Sequence, residues 1–286
     1  MIPDFGKVET TFKKYPFSAL LRFALSRYFL PNVPFLLPDK HIPFRYFGGS
    51  IYLNLKESSM MRDRALGVYE YWKTRLFMEL IEPGMTVVDV GANKGYFSLL
   101  FARLMKDKGK VLSFEPDPES RCWLERSIEL NGYTSIKLYS YALSDRDGKS
   151  IFYPGKVSSL GSLFFFSNMN AEDRKPFTVE TRKLDTILKK EEIENVDLIK
   201  IDVEGADLLV LHGARKTLKN ENVKLVMDID VMDEKKRQEI LSFLASLDFK
   251  IYSIGKKLKP VKTVKDLGCN DIYARDILAV KSSFQP

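Results

Sequence analysis

From Met85 onward, short apolar runs rich in Val, Ile and Leu alternate with stretches of helical periodicity, and this alternation constrains the fold more than any other feature. The runs are TVVDV, KVLSFE, IKLYSYAL, VDLIKID, VKLVMDI, FKIYSI and DILAV. Continuous apolar strands suit a sheet buried on both faces, and the intervening helices supply the two covering layers. Helices are expected over Tyr96 to Lys106, Pro118 to Leu130, Ala206 to Leu218 and Asp233 to Leu247. The second begins with Asp117 as N-cap and Pro118 at the first helical position, and Asn131-Gly132 stops it. Between the last two runs there is only a lysine-rich loop from Gly255 to Arg275, so the final strand should be antiparallel. The expected fold is α/β: a doubly wound, mostly parallel seven-stranded sheet with an antiparallel last strand.

Residues 1 to 80 read as an N-terminal extension, mostly helical and expected to act as a lid, and residues 81 to 286 as the main domain. The extension holds an amphipathic helix near Phe17 to Phe29, an irregular connector PNVPFLLPDKHIPF and a short strand from Ile51 to Leu55. A helical region from about Met60 to Ile81 follows, and Pro83-Gly84 ends it. An insertion at about 149–184 breaks the alternation. It reads as a β-hairpin-like element, with SIFY and FTVETRKL as strands. The rings Phe164 to Phe166 in its loop either pack beneath it or offer a substrate platform.

With 286 residues, 45% of them apolar and 29% charged, the chain is of ordinary globular composition. The formal charge of +7 attracts phosphates, anionic membrane surfaces or acidic sugars. Because Lys and Arg are scattered, nucleic acid is not the expected partner, and the runs KKLKPVKTVK and EKKRQE read as solvated faces. Two cysteines, Cys122 and Cys269, and two histidines, His41 and His212, are too few for a disulfide framework or the usual zinc site. A reducing cytoplasm is the expected compartment. No apolar stretch is long enough to span a membrane. Phe17 to Pro38, interrupted by Arg22 and Arg27, is either a helix packed on the main domain or a surface helix making peripheral membrane contact.

In an open α/β sheet the ligand lies beyond the carboxyl ends of the strands. The first strand ends in VVDVGANKGYF, where Gly91 and Gly95 let the backbone turn closely around a ligand. The dinucleotide fingerprint would carry a middle glycine, and here Asn93 replaces it. Asp89 at the strand tip would contact an ammonium group or fix the loop. Glu115, in SFEPD, follows at about the spacing of a ribose-binding carboxylate. The third tip, YALSD, sets Ala142, Leu143 and Asp145 beside the same crevice, where an adenine would lie. In the fourth, LIKIDVEGAD, alternation brings Lys200, Asp202 and Glu204 to one side if the strand continues. Burying them costs several kcal/mol unless they pair or serve a site. Asp202, Glu204, Asp228 and Asp230 together would suit a divalent cation.

The stretches VVDVGANKGYFSLLFARL, VLSFEPDPES, ALSDRDG, LDTIL and DLIKIDVEGADLLVLHGA resemble the FkbM-type family of S-adenosylmethionine-dependent methyltransferases, with a class I, Rossmann-like fold. The resemblance covers about Glu70 to Asp230. It implies O-methylation of a hydroxyl on a sugar, glycan, glycolipid or other small metabolite. Position by position it assigns Asp89, Gly91, Ala92, Asn93 and Gly95 to the methionine end of the cofactor and Glu115 to the ribose. Ala142, Leu143 and Asp145 go to the adenine side. Asp202 and Glu204 then lie near the transferable methyl as orienting or basic groups, with Lys200 holding their charge. The fifth strand ends in MDIDVMD, so a histidine base expected there is replaced by Asp228 and Asp230. The competing readings are an NAD-dependent oxidoreductase, an RNA methyltransferase, though no NPPY-like base-binding tetrapeptide follows the fourth strand, and a non-catalytic cofactor-binding relative.

Overall fold

The computed structural model describes residues 17–155, 161–164, 175–229, 234–267 and 276–281. The N-terminal residues, Phe165, Phe166, Asp230 and Cys269 lie outside them. Helix α1 (Phe17–Ala24) runs into a π-helical turn at Leu25–Phe29. Strands β1 (Ile42–Tyr46) and β2 (Gly49–Leu53) form an antiparallel hairpin, so the short strand expected at Ile51 has a partner inside the supposed connector. Pro43 hid it, yet a proline is tolerated on a two-stranded ribbon. The helical region expected from about Met60 to Ile81 consists of two helices, α2 (Ser59–Ala65) and α3 (Tyr71–Leu80). Gly67 at φ 68° and Glu70 at φ 42° break it, because left-handed residues do not continue a right-handed helix.

The main body follows as β3 (Thr86–Val90), α4 (Tyr96–Leu104), β4 (Lys110–Phe114), α5 (Pro118–Asn131) and β5 (Ile136–Tyr139). Next come β6 (Ala142–Leu143), β7 (Gly148–Phe152), β8 (Phe177–Arg182), α6 (Leu184–Lys190), β9 (Leu198–Ile201) and α7 (Asp207–Gly213). The described chain closes with β10 (Lys224–Asp228), α8 (Glu234–Ala245), β11 (Lys250–Ser253), β12 (Lys259–Val261) and β13 (Asp276–Val280).

One sheet runs β12-β11-β13-β10-β9-β3-β4-β5. Strands β3, β4, β5, β9 and β10 pair in parallel, and β13 is antiparallel to both β10 and β11. All seven expected strands are present. An eighth, β12, arises in the lysine-rich loop and pairs antiparallel with β11. It is short and carries Pro260, which suits a sheet edge. The run IKLYSYAL is divided: β5 stops at Tyr139, and Ala142–Leu143 joins β8 and β7 in a separate three-stranded sheet. There β7 and β8 pair from Gly148↔Thr181 to Phe152↔Phe177, the hairpin expected for the insertion.

Two apolar layers sandwich the sheet. Val88, Leu112, Ile199 and Leu225 face the layer holding Leu184, Val210 and Leu241, while Val87, Val111, Leu198 and Val226 face the layer holding Leu100 and Phe101. The second layer also contains Leu37, Tyr46, Ile51, Leu53, Met61 and Phe77. Residues from the N-terminal 80 therefore contribute to one apolar layer of the main body.

Candidate functional site

A cavity opens at the carboxyl ends of β3, β4 and β9, where the sheet order reverses between β3 and β9. Its floor is the loop after β3. Gly91 adopts φ 73°, and a Cβ there would stand 2.0 Å from the backbone oxygen of Asp202. The glycine thus lets two strand tips meet. Gly91 N–H and Ala92 N–H both donate to Phe114 O at 3.0 Å, which ties the loop to β4. Asn93 is left-handed at φ 51°, and Gly95 at φ 90° is the N-cap of α4.

Glu115 closes the β4 tip. Its carboxylate accepts from Asn93 N–H at 2.7 Å and from Asp117 N–H at 2.8 Å. Burial pushes its pKa up to about 7, and those two hydrogen bonds limit the rise. Each oxygen retains lone-pair capacity for a further donor.

Asp89 and Lys200 sit opposite each other in the β3–β9 ladder. Asp89 is fully buried beneath the loop, accepts from Ser98 Oγ at 2.6 Å and pairs with Lys200 Nζ at 3.0 Å. Lys200 Nζ also donates to Gly91 O at 2.9 Å and stands 3.7 Å from Asp202 Oδ2. Burial disfavours the charge of Lys200, yet Asp89 and Asp202 outweigh it and raise the pKa. Asp202 is opposite in sign: burial raises it, but Lys200, Lys73 and Arg64 together bring it below the usual value. The strand does not continue to Glu204. It ends at Ile201, and Glu204 enters the cavity from a left-handed turn at φ 44°. Burial, followed by Asp202, Asp228, Asp207 and Glu70, pushes Glu204 up to about 8, and Asp207 rises to about 7 chiefly through burial.

Of the sequence-expected residues, Gly91, Ala92, Asn93, Glu115, Ala142, Leu143, Lys200, Asp202 and Glu204 line one cavity. Asp89 lies under it, Gly95 caps the helix behind it, and Asp145, beside Arg146 and Ser144, is not among the lining residues. Residues unforeseen from sequence come from both flanking segments: Met60, Arg64, Tyr69 and Glu70 on one side, Phe152, Ser162 and Leu163 on the other. Ser162 Oγ donates to Glu204 O at 2.7 Å, anchoring the insertion to the turn. Arg64 Nη1 donates to Asn93 Oδ1 at 3.0 Å. Lys73, almost wholly buried, meets Glu70 at 2.5 Å and Asp276 at 2.6 Å. Burial would lower its pKa, but Asp276 and Glu70 raise it well above the ordinary value. The i,i+3 spacing of Glu70 and Lys73 was a readable signal; nothing local linked either to Asp276. Lys94 turns away from the cavity to pair with Glu57 and contact His41 Nε2 at 3.0 Å. His41 stacks on Trp123, and burial with Lys94 nearby lowers its pKa to about 4.

Among the described residues no three His, Cys, Asp or Glu side chains are grouped to hold a metal, and Asp230 lies outside that set. No described helix is long and apolar enough to cross a membrane. The cavity wall combines aromatic and aliphatic groups, Tyr141, Leu143 and Phe114, with the Glu115 carboxylate and the Lys200–Asp202 charges.

Read in chain order, the seven main strands are arranged 3-2-1-4-5-7-6 with the seventh antiparallel, and with this cavity at the switch point they define a class I, Rossmann-like methyltransferase. The chain belongs to the FkbM methyltransferase family, whose Methyltransferase FkbM domain matches residues 89–251. It is 26% identical over 191 residues to the 2-O-methyltransferase NoeI of Sinorhizobium fredii, covering 61% of this chain and 76% of that protein. It is 28% identical over 168 residues to the hexuronic acid methyltransferase AglP of Haloferax volcanii, covering 59% of this chain and 66% of the relative. A crystal structure of an FkbM methyltransferase from Methylobacillus flagellatus aligns with a TM-score of 0.46 at 16% identity, over 77% of this chain and 54% of that one.

Proposed function

We propose that the chain methylates a hydroxyl oxygen on a sugar, glycan or related small metabolite. The observation that carries this reading is that two carboxylates just beyond the β9 tip, Asp202 and Glu204, line the cavity that the glycine loop also lines. Of the named relatives, a 2-O-methyltransferase supports oxygen as the methylated atom and a hexuronic acid methyltransferase supports a sugar as the acceptor class. S-adenosylmethionine, when bound, supplies an electrophilic methyl group. Glu115 would hold its ribose, Ala142 and Leu143 its adenine, and the Gly91–Asn93 loop its amino-acid end.

Methyl transfer to oxygen requires an aligned acceptor and removal of one hydroxyl proton, so positioning and a single base suffice. Asp202, held ionised by three cations, is a weak base but a steady hydrogen-bond acceptor that would orient the hydroxyl. Glu204, raised to about 8, has the greater proton affinity and would take the proton. Lys200 balances the charge of Asp202 and fixes the loop through Gly91 O.

The test uses single-turnover methylation of a sugar-acceptor panel, with cofactor affinity measured by calorimetry. Glu204→Gln should lose about 10²- to 10³-fold in rate and abolish a rise in rate with pH centred near 8. Asp202→Asn should weaken acceptor saturation and rate together. If both variants bind cofactor normally and methylate at the wild-type rate, the assignment fails. Productive hydride exchange with a nicotinamide cofactor, or steeply salt-dependent RNA binding, would favour the competing readings instead.

A further inference from the structure

The π-helical turn that extends helix α1 is mounted with polar groups inward. Ser26 is fully buried, and its Oγ donates to Asp63 Oδ1 at 2.5 Å. Arg27 Nη2 pairs with Asp63 Oδ2 at 2.5 Å while Nη1 donates to Ser59 Oγ at 2.9 Å. Arg62 Nε closes the joint by donating to Ser26 O at 3.2 Å. The opposite side is apolar and open, with Leu21 64% exposed, Phe29 56%, and Leu25 and Tyr28 between them in sequence, and the 3-10 turn at Pro34–Leu36 that follows exposes Phe35 at 80% and Leu36 at 62%. A helix docked on its own body normally does the reverse, burying the apolar stripe and leaving ions in water. Apolar groups gathered this way mark a surface that meets something other than water.

The exposed charge of this segment points to the occupant. Between residues 17 and 56 the exposed charged residues are Arg22, on the helix itself, with Lys40, Arg45 and Lys56, against Asp39; Arg27 is paired inward with Asp63. Asp39 is itself 3.7 Å from Lys56. A two-fold contact with a second copy would set these cations against themselves, which is unfavourable. An apolar helix face on a segment whose exposed charge is mostly cationic matches the boundary of an anionic bilayer, where acyl chains take the former and headgroups the latter.

We propose that this face docks on an anionic membrane surface and brings the cavity to an acceptor hydroxyl carried on a lipid. The docking stands on the surface alone; the lipid-borne acceptor rests on the methyl-transfer reading above. The link between them is α2. Its Ser59 and Asp63 hold the extension of α1, and its Met60 and Arg64 line the cavity, so α1 and α2, each roughly 10 Å across, lie between the docking face and the cavity.

The test is flotation of the full chain with vesicles of phosphatidylcholine alone and with about one quarter phosphatidylglycerol. The wild type should partition at least about tenfold more strongly onto the anionic vesicles. Leu21→Asp combined with Phe35→Asp should lose at least about tenfold of that binding at an unchanged melting temperature. Arg22→Glu should weaken it less and make the remainder less sensitive to salt. Wild-type protein remaining in the aqueous fraction, equal partition of wild type and double variant, or concentration-dependent dimerisation without vesicle binding would each overturn the docking. Calorimetric titration of the same proteins with S-adenosylmethionine reads the other reading separately. Partition without cofactor binding removes the methyl-transfer function and leaves the docking; cofactor binding without partition does the opposite.

Discussion

The tightest constraint on a single residue in this protein is at Gly91. Its left-handed φ of 73° and the 2.0 Å approach of an added Cβ to Asp202 O act together, and the neighbour is backbone that cannot rotate aside. Gly132 offers a control, since at φ 65° a Cβ there meets nothing within 4 Å. Gly132→Ala should cost about 1 kcal/mol, the price of the conformation alone. Gly91→Ala should cost at least about 2 kcal/mol more, because the β3 and β9 tips must part, and should weaken cofactor binding as well. Chemical denaturation of the two variants checks this; equal losses would mean that the close approach does not matter. The glycine was readable in the sequence because the turn after an apolar strand has few other solutions. The partner was not: Asp202 is drawn against Gly91 by strand pairing between distant parts of the chain. The same limit applies to Glu204, which was expected on an extended strand and enters the cavity from a left-handed turn instead.

At the scale of elements, what was legible was local. The alternation of apolar runs and helical periods gave all seven main strands, and the insertion hairpin was visible in its own alternation. Contacts made by folding the ends of the chain over the middle had no such signature. Strand β1 was hidden by prolines, and the break between α2 and α3 depends on Glu70, a residue type that rarely signals a left-handed turn. Arg64, Tyr69 and Glu70 reach the cavity only because of that break. The clearest product of this folding is the joint between α3 and β13. Lys73, 1% exposed, is held between Glu70 and Asp276. Burial raises the Asp276 pKa well above the ordinary value against the pull of Lys73, so Lys73→Met should cost about 2–3 kcal/mol, because the Asp276 carboxyl would be left buried and unpartnered. Adding Asp276→Leu should restore more than half of that loss, since a buried pair is often replaceable by apolar groups of similar volume. Denaturant midpoints of the single and double variants measure it. A double variant no more stable than Lys73→Met would show that the joint matters through something other than its unpartnered carboxyl.

For the molecule as a whole, the site sets how stability depends on pH. Glu115 and Asp207 have pKa values of about 7 and Glu204 of about 8, while in the unfolded chain all three ionise near the ordinary carboxylate values. Between the unfolded and folded values the native state holds more protons than the unfolded one. Stability therefore falls as pH rises through that interval and levels off above the folded values. His41 works in the other direction, since its folded pKa is lowered to about 4, but its contribution changes only below the ordinary histidine value. Between about pH 6.5 and 8.5 the carboxyls act without that opposition. The cofactor-free protein should accordingly lose a few degrees of melting temperature across this window. Glu204→Gln combined with Asp207→Asn should flatten the slope, because an amide cannot ionise in the same buried position. Scanning calorimetry at constant ionic strength tests this directly. A melting temperature that holds or rises from pH 6.5 to 8.5 would mean that these carboxyls are already ionised at neutral pH, which would also remove Glu204 as the group whose proton affinity suits it to accept the acceptor's proton.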